Sequence, residues 1–424
     1  MAREYKDSGI EWIGQIPKEW EVCQIRRVMK NRSERNLPNA EVLSLYRDWG
    51  IVPKNSRDDN HNVTSEDTTN YKVVHKGDFV INKMKAWQGS MAVSDYDGII
   101  SPAYYVCEFV RTSVYKRYIH HLLRNETYKT EYMRLSSGLR VGQWDLNIEN
   151  FLRIPMILPS FSEQQKIADY LDKVCGEIDE MVALQETMIE ELKAYKQSVI
   201  TEAVTKGLNP NAPMRDSGID WIGEIPEGWE VKRLKYVSNI SRGLFNHRPR
   251  NDERYYGGIY PFIQTGDVAR SKKYIESYSQ TLSDLGVSVS KLFPKGTLTM
   301  TIAANVGDVS ILGFNAYFPD SVLGIIPLPD VDNIFLYYAL KAMKGEFVNA
   351  AIVSTQLNLN VERVYNMKTV VPPISEQRAI ASYLDTKCSE IDSLIALKQA
   401  KIEELKEYKK SVIYEYVTGK KEVV

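Results

Sequence analysis

The chain has 424 residues, 43% hydrophobic and 26% charged, with 54 Lys and Arg against 55 Asp and Glu for a formal charge of −1; this is material for roughly three globular domains, and it is neither a disordered nor a fibrous composition. No apolar run reaches the roughly eighteen residues of a membrane helix, and the start MAREYKDSGI lacks a basic-then-apolar leader, so no membrane partner and a cytoplasmic location are expected. Cys23, Cys107, Cys175 and Cys388 are scattered without a CxxC pair or a Cys/His cluster, which argues for reduced thiols and against disulfide or zinc staples.

The first element is DSGIEWIGQIPKEWEV at residues 7–22, and it returns as DSGIDWIGEIPEGWEV at 216–231 with 12 identities in 16. After the first copy come short β-like runs punctuated by turn signals, YKVVHKGDFVINKM and MAVSDYDGIISPAYYVCEFV, then a helical stretch near 114–135. Residues 162–207 form a long segment without Pro that returns at 375–420 with 27 identities in 46. Between the second copy of the opening stretch and this second long segment lies another strand-rich body, with KLFPKGTLTMTIAANVGDVSILG, AYFPDSVLGIIPLP and a helical stretch near 332–350. Bracket, body and long segment therefore occur twice, and such self-similarity outranks any local signal.

The long segments are helices of about forty residues, rods of roughly 60 Å. In the first, Ile167, Leu171, Val174, Ile178, Met181, Met188, Leu192, Tyr195 and Val199 follow a heptad seam interrupted at Gln185. In the second, Ile380, Leu384, Ile391, Leu394, Leu405, Tyr408 and Val412 repeat it, with Lys387, Lys398 and Lys401 at intervening seam positions. Ser162 with Gln165, and Ser375 with Arg378, stand where N-caps are expected after proline-containing stretches. The simplest arrangement is antiparallel pairing of the two rods about a pseudo-two-fold axis, with the bodies at opposite ends and each bracket near the end of the other helix. A second apolar stripe runs one position later, through Ala168, Cys175, Val182 and Ile189 and through Cys388, Ile395 and Ile402. A stripe this wide means each helix touches more than one neighbour. Partner helices from other subunits are the preferred neighbour, the chain's own bodies the alternative. The helical segments together sum to −5 and the rest of the chain to +4, a modest excess that random scatter also explains.

Taken together, the duplicated DSGIxWIGxIPxxWEV brackets, the SEQxxIAxYLD…EID…IEELKxYKxSVIxExVT helices and the GDFVINKMKAWQGS and YPFIQTGDV stretches resemble the specificity subunits of type I restriction-modification systems over nearly the whole chain. The resemblance implies an α+β fold. Two target-recognition domains, each a curved β-sheet with small helices, would span 1–160 and 208–373 in a tandem pseudo-repeat. Conserved helical spacers at 161–207 and 374–420 would join them as an antiparallel coiled coil. It implies further a bipartite double-stranded DNA target, two methyltransferase subunits that bind S-adenosylmethionine, and two restriction subunits that use ATP and Mg. Ile167, Leu171, Ile178, Val182, Ile189, Leu192, Ile380, Leu384, Ile391, Ile395, Ile402 and Leu405 are then the helix-pairing and subunit-interface candidates.

The residue inventory fits that division of labour. There is no [ND]PP[YF] methyltransferase motif, since VPPI at 371–374 lacks both flanking requirements, no GxxxxGK[ST] phosphate loop and no HExxH, so this chain is expected to be non-catalytic. DNA-contact candidates are the loop residues whose side chains suit base edges and phosphates. In body one they are Asn82, Lys83, Lys85 and Gln88, with Arg140, Gln143 and Trp144. In body two they are Arg242, Asn246, His247, Arg248 and Arg250, with Lys272, Lys273, Asn305, Gln356 and Asn358. Each taken singly also reads as a solvated loop residue or a cap, whereas the groups read as an interface. Trp12, Trp20, Trp221 and Trp229 belong to the brackets and are expected to pack at helix ends rather than stack on bases. Two rival functions are a self-sufficient DNA-modifying enzyme, which lacks its motifs here, and a coiled-coil scaffold without DNA, which leaves the divergent bodies without a role.

Overall fold

The computed structural model describes residues 3–423 apart from 38, 48, 57–63, 65–66, 139–143, 248–249 and 354–356. It divides into two compact units, residues 1–186 with 399–424 and residues 187–398, so each unit holds one body and half of each long helix.

Unit 1 is built on a four-stranded antiparallel sheet in the order Met29–Arg32, Tyr104–Phe109, Phe79–Asn82, Met91–Val93. Both faces are covered. Phe79 and Ile81 point into the main core with Tyr118, Leu122, Tyr128 and Tyr132 of the helices Lys116–Arg124 and Glu126–Leu135. Val80 and Val106 point the other way, against Leu43, Leu45 and Ile51 of a separate hairpin. The strands follow the period-two rule with apolar residues on both sides.

Unit 2 repeats the plan. Its five-stranded sheet runs Ser238–Arg242, Val322–Pro327, Leu298–Thr301, Val309–Leu312, with Tyr274–Ile275 added parallel at the edge. Leu298 and Met300 face Phe335, Leu336 and Leu340 in the main core. The central strands of the two units begin alike, KGDFVIN at 76–82 and KGTLTMT at 295–301, each entered through a glycine at positive φ, 90° for Gly77 and 88° for Gly296. A further four-stranded sheet, in the order Gln280–Leu282, Tyr256–Phe262, Ala316–Tyr317, Leu292–Phe293, has no counterpart among the described residues of unit 1.

The brackets are repeated because they tie the same three things together in each unit. Tyr5–Asp7 pairs with Gln15–Pro17, and Met214–Asp216 with Glu224–Pro226. The next strand of each bracket, Glu21–Gln24 or Glu230–Arg233, pairs with the strand that feeds a long helix, Pro155–Leu158 or Lys368–Val371. The bracket tryptophan then reaches that helix: the indole N–H of Trp20 donates to Oε2 of Glu163 at 3.1 Å, and that of Trp229 to Oε2 of Glu376 at 2.9 Å. The same indoles pack on the glycines that end the other helix, Gly419 and Gly207, whose positive φ of 71° and 75° is the usual left-handed helix stop. As expected, each bracket therefore sits at the end of a long helix: in unit 1 the hydroxyl of Tyr5 donates to the carbonyl of Gly419 at 3.1 Å. Trp12 differs from the expectation by packing edge-on against Tyr128 of the body, with ring centroids 4.7 Å apart.

The long helices span Phe161–Lys206 and Ile374–Val417. Their starts correct the expected caps. Ser162 and Ser375 lie inside the first turn, and in the first helix it is Ser160 whose hydroxyl accepts from the N–H of Glu163, at 3.3 Å. Gln164 and Gln377 are buried and turned into the bodies instead, accepting from the N–H of Tyr115 and Asp332, each at 2.8 Å.

Pairing is antiparallel within each unit. In unit 1 Tyr170 packs on Tyr416 and Asp179 binds Lys409 at 2.7 Å; in unit 2 Met188 accepts from Lys398 at 3.4 Å and Lys196 binds Asp392 at 2.7 Å, so numbers rise on one helix as they fall on the other. The two ion pairs join the same aligned positions of the repeat, Asp179 with Asp392 and Lys196 with Lys409.

The phase of the seam differs from the expected one past Ile178. Ile178, Gln185, Leu192 and Val199 are common to both registers, but the alternate positions are filled by Val182, Ile189 and Lys196, with Met181 and Tyr195 exposed and Met188 half-buried at the edge where it meets Lys398. The second helix does the same with Ile395, Ile402 and Lys409 in place of Leu394, Lys401 and Tyr408. The lysine side chains are 22% and 30% exposed, whereas Tyr195 and Tyr408 are 58% and 55% exposed. Long lysine stems lie along the seam and place their ammonium groups on a carboxylate, which polarity alone would put outside. The stripe of Val182, Ile189, Ile395 and Ile402 thus takes part in the chain's own pairing, with Ile189 and Ile402 buried there and Val182 and Ile395 half-buried.

His120 is half-buried beside the sheet of unit 1, its Nδ1 accepting from the N–H of Val93 at 3.3 Å. Burial, followed by the guanidinium of Arg124, the His121 ring and Arg117, holds its pKa well below the usual imidazole range. A histidine depressed in the folded state stabilises the fold above its unfolded pKa of about 6.5, and that stability is lost as pH falls below it. Urea titrations at pH 7.5 and 5.5 should therefore give a lower unfolding free energy at 5.5, and His120→Gln should shrink that difference; an unchanged pH dependence in the variant would contradict the assignment.

Candidate nucleic-acid interface

In unit 1 the central strand Phe79–Asn82 runs directly into a short 3-10 helix, Lys83–Gln88, that closes at Gly89 with φ 78°. Asn82 caps this helix, its side-chain oxygen accepting from the N–H of Met84 at 3.1 Å, so it positions the turn. Lys85 and Met84 stand exposed on it. Gln88 is held by its carbonyl oxygen, which accepts from the guanidinium of Arg47 at 2.5 Å. Trp87 packs against Trp144 with ring centroids 5.2 Å apart, which brings the end of SSGLRVGQWD beside INKMKAWQGS, two stretches more than fifty residues apart in sequence. Arg140 and Gln143 lie outside the described residues.

Behind this turn is a cationic group of which loop composition pointed only to Lys83. Lys83 lies 4.7 Å over the ring of Tyr105 and Lys72 lies 5.3 Å over it; Lys72 is buried and donates to the carbonyl of Tyr104 at 2.7 Å. Burial, then Lys83 and Arg35, push its pKa down. Arg47 and Trp49, at the tip of the hairpin Leu43–Tyr46 with Gly50–Pro53, are likewise absent from the sequence-based candidates, although Leu43, Leu45 and Ile51 around the RDWG turn carry a hairpin signal.

Unit 2 assembles its candidates at the corresponding end of its sheet. Arg242, Leu323 and Met300 stand in one row across three strands, so the segment after Arg242 and the turn after Thr301 leave the sheet at the same end. Asn305 is exposed in that turn, and Ala303 bridges to Asn358, which is also exposed, while the N–H of Leu359 donates to the carbonyl of Ile302 at 2.8 Å. Arg242 and Asn246 are exposed. Arg250 binds Asp320 at 2.6 Å, and His247 stacks on Tyr255 at 3.8 Å beside Asp252. Arg248 and Gln356 lie outside the described residues. Lys272 is exposed, but Lys273 is not part of this group: its ammonium binds Oδ1 of Asp385 on the second long helix at 2.5 Å, an oxygen that also accepts from the hydroxyl of Tyr338. A lysine so anchored holds the body to the helix.

The helices carry a further feature. Met181 and Leu184 with Tyr408 in unit 1, and Leu394 and Leu397 with Tyr195 in unit 2, are exposed apolar residues at aligned positions of the repeat. Among the described residues no group of His, Cys, Asp and Glu is arranged to hold a metal ion, and no helix is long and apolar enough to cross a membrane.

Two stretches of the chain, 17–194 and 226–407, match the model of the type I restriction modification DNA specificity domain. The putative type I restriction enzyme MjaX specificity subunit of Methanocaldococcus jannaschii is 23% identical, over 96% of this chain and 95% of its own length. The type I restriction enzyme HindI specificity subunit of Haemophilus influenzae is 22% identical, over 84% and 90%. Among solved structures, a chain from a study of complex assembly and conformational transition in the type I R-M system superposes with a TM-score of 0.73 at 17% identity, and the HsdS subunit from Thermoanaerobacter tengcongensis with 0.51 at 17%, both over 95% of this chain and 98% of theirs. With the family domain matched twice, once in each half of the repeat, the chain belongs to the type I restriction-modification DNA specificity subunits.

Proposed function

We propose that each unit reads one half of a bipartite double-stranded DNA target and that the paired helices carry two methyltransferase subunits, to which two restriction subunits are added. The observation that carries the reading is that both units deliver polar side chains to the same end of an equivalent sheet while sharing almost none of those side chains: Lys83, Lys85 and Gln88 in one, Arg242, Asn246, Asn305 and Asn358 in the other. Equal placement with unequal chemistry suits two different half-sites. The repeated exposed trio, Met181, Leu184 and Tyr408 or Leu394, Leu397 and Tyr195, supplies two like apolar patches for two like partners. Methyl transfer and cleavage, with S-adenosylmethionine, ATP and Mg, belong to those partners, and the assembly works in the cytoplasm.

Binding of the assembled complex to duplexes altered in one half-site tests this. Lys83→Ala with Gln88→Ala should weaken binding by about 1–3 kcal/mol for each hydrogen bond to a base edge that is removed, and should relax discrimination at one half-site alone. Arg242→Ala with Asn246→Ala should act on the other half. If either variant disturbed both half-sites equally, one unit per half-site would be wrong.

A further inference from the structure

The two brackets are not filled alike. In unit 1 Glu163 gives Oε2 to the indole of Trp20 and Oε1 to the guanidinium of Arg3, at 2.5 Å. Arg3 also donates to Oε1 of Glu19 through Nε at 2.8 Å and Nη2 at 2.5 Å, and it lies 5.6 Å over the Trp20 ring. By the spacing of the bracket repeat, Arg3 and Glu19 correspond to Ala212 and Gly228 in unit 2, while Trp20 and Glu163 are retained as Trp229 and Glu376. Both replacements leave space. Unit 2 has a cleft of about 460 Å³ there, lined by Ala212, Gly228, Trp229 and Glu376 together with the apolar Leu208 and Ile380. Oε2 of Glu376 accepts from Trp229, and among the described residues Oε1 accepts no hydrogen bond.

We propose that this cleft receives an arginine side chain of a methyltransferase subunit, whose guanidinium takes the place beside Glu376 and Trp229 that Arg3 takes beside Glu163 and Trp20. A guanidinium suits the site better than an ammonium, because its planar fork fits a carboxylate. Leu208 and Ile380 offer apolar wall for the aliphatic stem. The volume exceeds one side chain, so neighbouring residues of the donor enter with it, which points to a polypeptide rather than a free cation. Lys206 is the only cation of the lining, and it is exposed and able to swing into solvent. The choice of donor rests on the reading that methyltransferase subunits sit on these helices. One consequence is specific to this chain: unit 1 fills its own site with Arg3, so two identical partner subunits bind unequally.

Two measurements on the full chain test the proposal. The first uses arginine amide as probe and the indole N–H resonance of Trp229 as readout, with glycine amide at equal ionic strength as control. A saturable shift is expected in the wild type and none in Ala212→Arg with Gly228→Glu, which rebuilds the arrangement of unit 1; no shift in the wild type overturns the guanidinium chemistry. The second titrates methyltransferase subunits and counts bound copies by native mass spectrometry. The wild type should accumulate a singly loaded intermediate, and the filled variant, with an undiminished Tm, should lose about tenfold in the tighter step, the worth of one charge-assisted hydrogen bond. Glu376→Gln keeps an acceptor for Trp229 and should show the same loss, so it decides the matter if the filled variant does not fold. Unchanged affinity in both variants overturns the assignment to that partner, whereas a wild type that binds no methyltransferase subunit would instead defeat the proposed assembly.

Discussion

Trp20→Ala and Trp229→Ala should each lower the unfolding free energy of the chain by about 3–5 kcal/mol, the range for truncating a buried tryptophan in a close-packed site. Each indole is almost fully buried and touches three separate segments: its own bracket, the glutamate in the first turn of one long helix, and the glycine that ends the other. Truncation therefore opens a cavity, leaves a glutamate carboxylate, half-buried for Glu163 and exposed for Glu376, without its N–H donor, and loosens both helix ends of that unit. Urea denaturation followed by circular dichroism measures the effect. A loss below about 1 kcal/mol would mean the bracket is not the clamp its repetition suggests, because a surface substitution typically stays within about 0.5 kcal/mol.

The second large effect separates the two faces of the long helices. Val182→Asp with Ile395→Asp places a carboxylate at equivalent points of the pairing seam. Both sites are half-buried, so each substitution should cost roughly 2 kcal/mol, the low end for an uncompensated polar group taken from water. Helix pairing itself should fail in the thermal melt before any partner is added. Leu184→Asp with Leu397→Asp carries the same charges on side chains that are 57% and 67% exposed, and should leave the melt unchanged. It should abolish association with methyltransferase subunits instead. Light scattering and co-purification read both variants. If the seam variant melted like the wild type, or the exposed variant still bound its partners, the assignment of the two faces would be reversed.

Much of the architecture was legible because it is written twice. The brackets, the helix ends near residues 161 and 374, the antiparallel pairing and the two sheet-based bodies all follow from repeat spacing and apolar periodicity. The seam phase was not legible, since Tyr195 next to Lys196 reads as apolar inside and charged outside; only the carboxylates of Asp392 and Asp179, supplied by the opposite helix, reverse that order. Ser162 and Ser375 looked like caps because the buried roles of Gln164 and Gln377 depend on backbone N–H groups of the bodies nearly fifty residues away. In the candidate interface, loop composition singled out INKMKAWQGS and AANVGD but could not separate Lys272 from Lys273, one exposed and the other committed to Asp385. Arg47 and Lys72 escaped notice for the same reason: what places them beside the candidate residues is a distant hairpin and strand, not their own neighbours in sequence.

The claim that one unit reads one half-site is tested most directly by exchanging a whole body and sequencing the methylated DNA. Residues 23–159 would be replaced by the equivalent segment of a relative with a known target, keeping both brackets and both long helices, and methylated positions would be mapped genome-wide beside the wild type. One half of the bipartite site should change to that of the donor while the other half stays as it was. A change in both halves, or a site left wholly unchanged by a chain that still assembles and methylates, would contradict it.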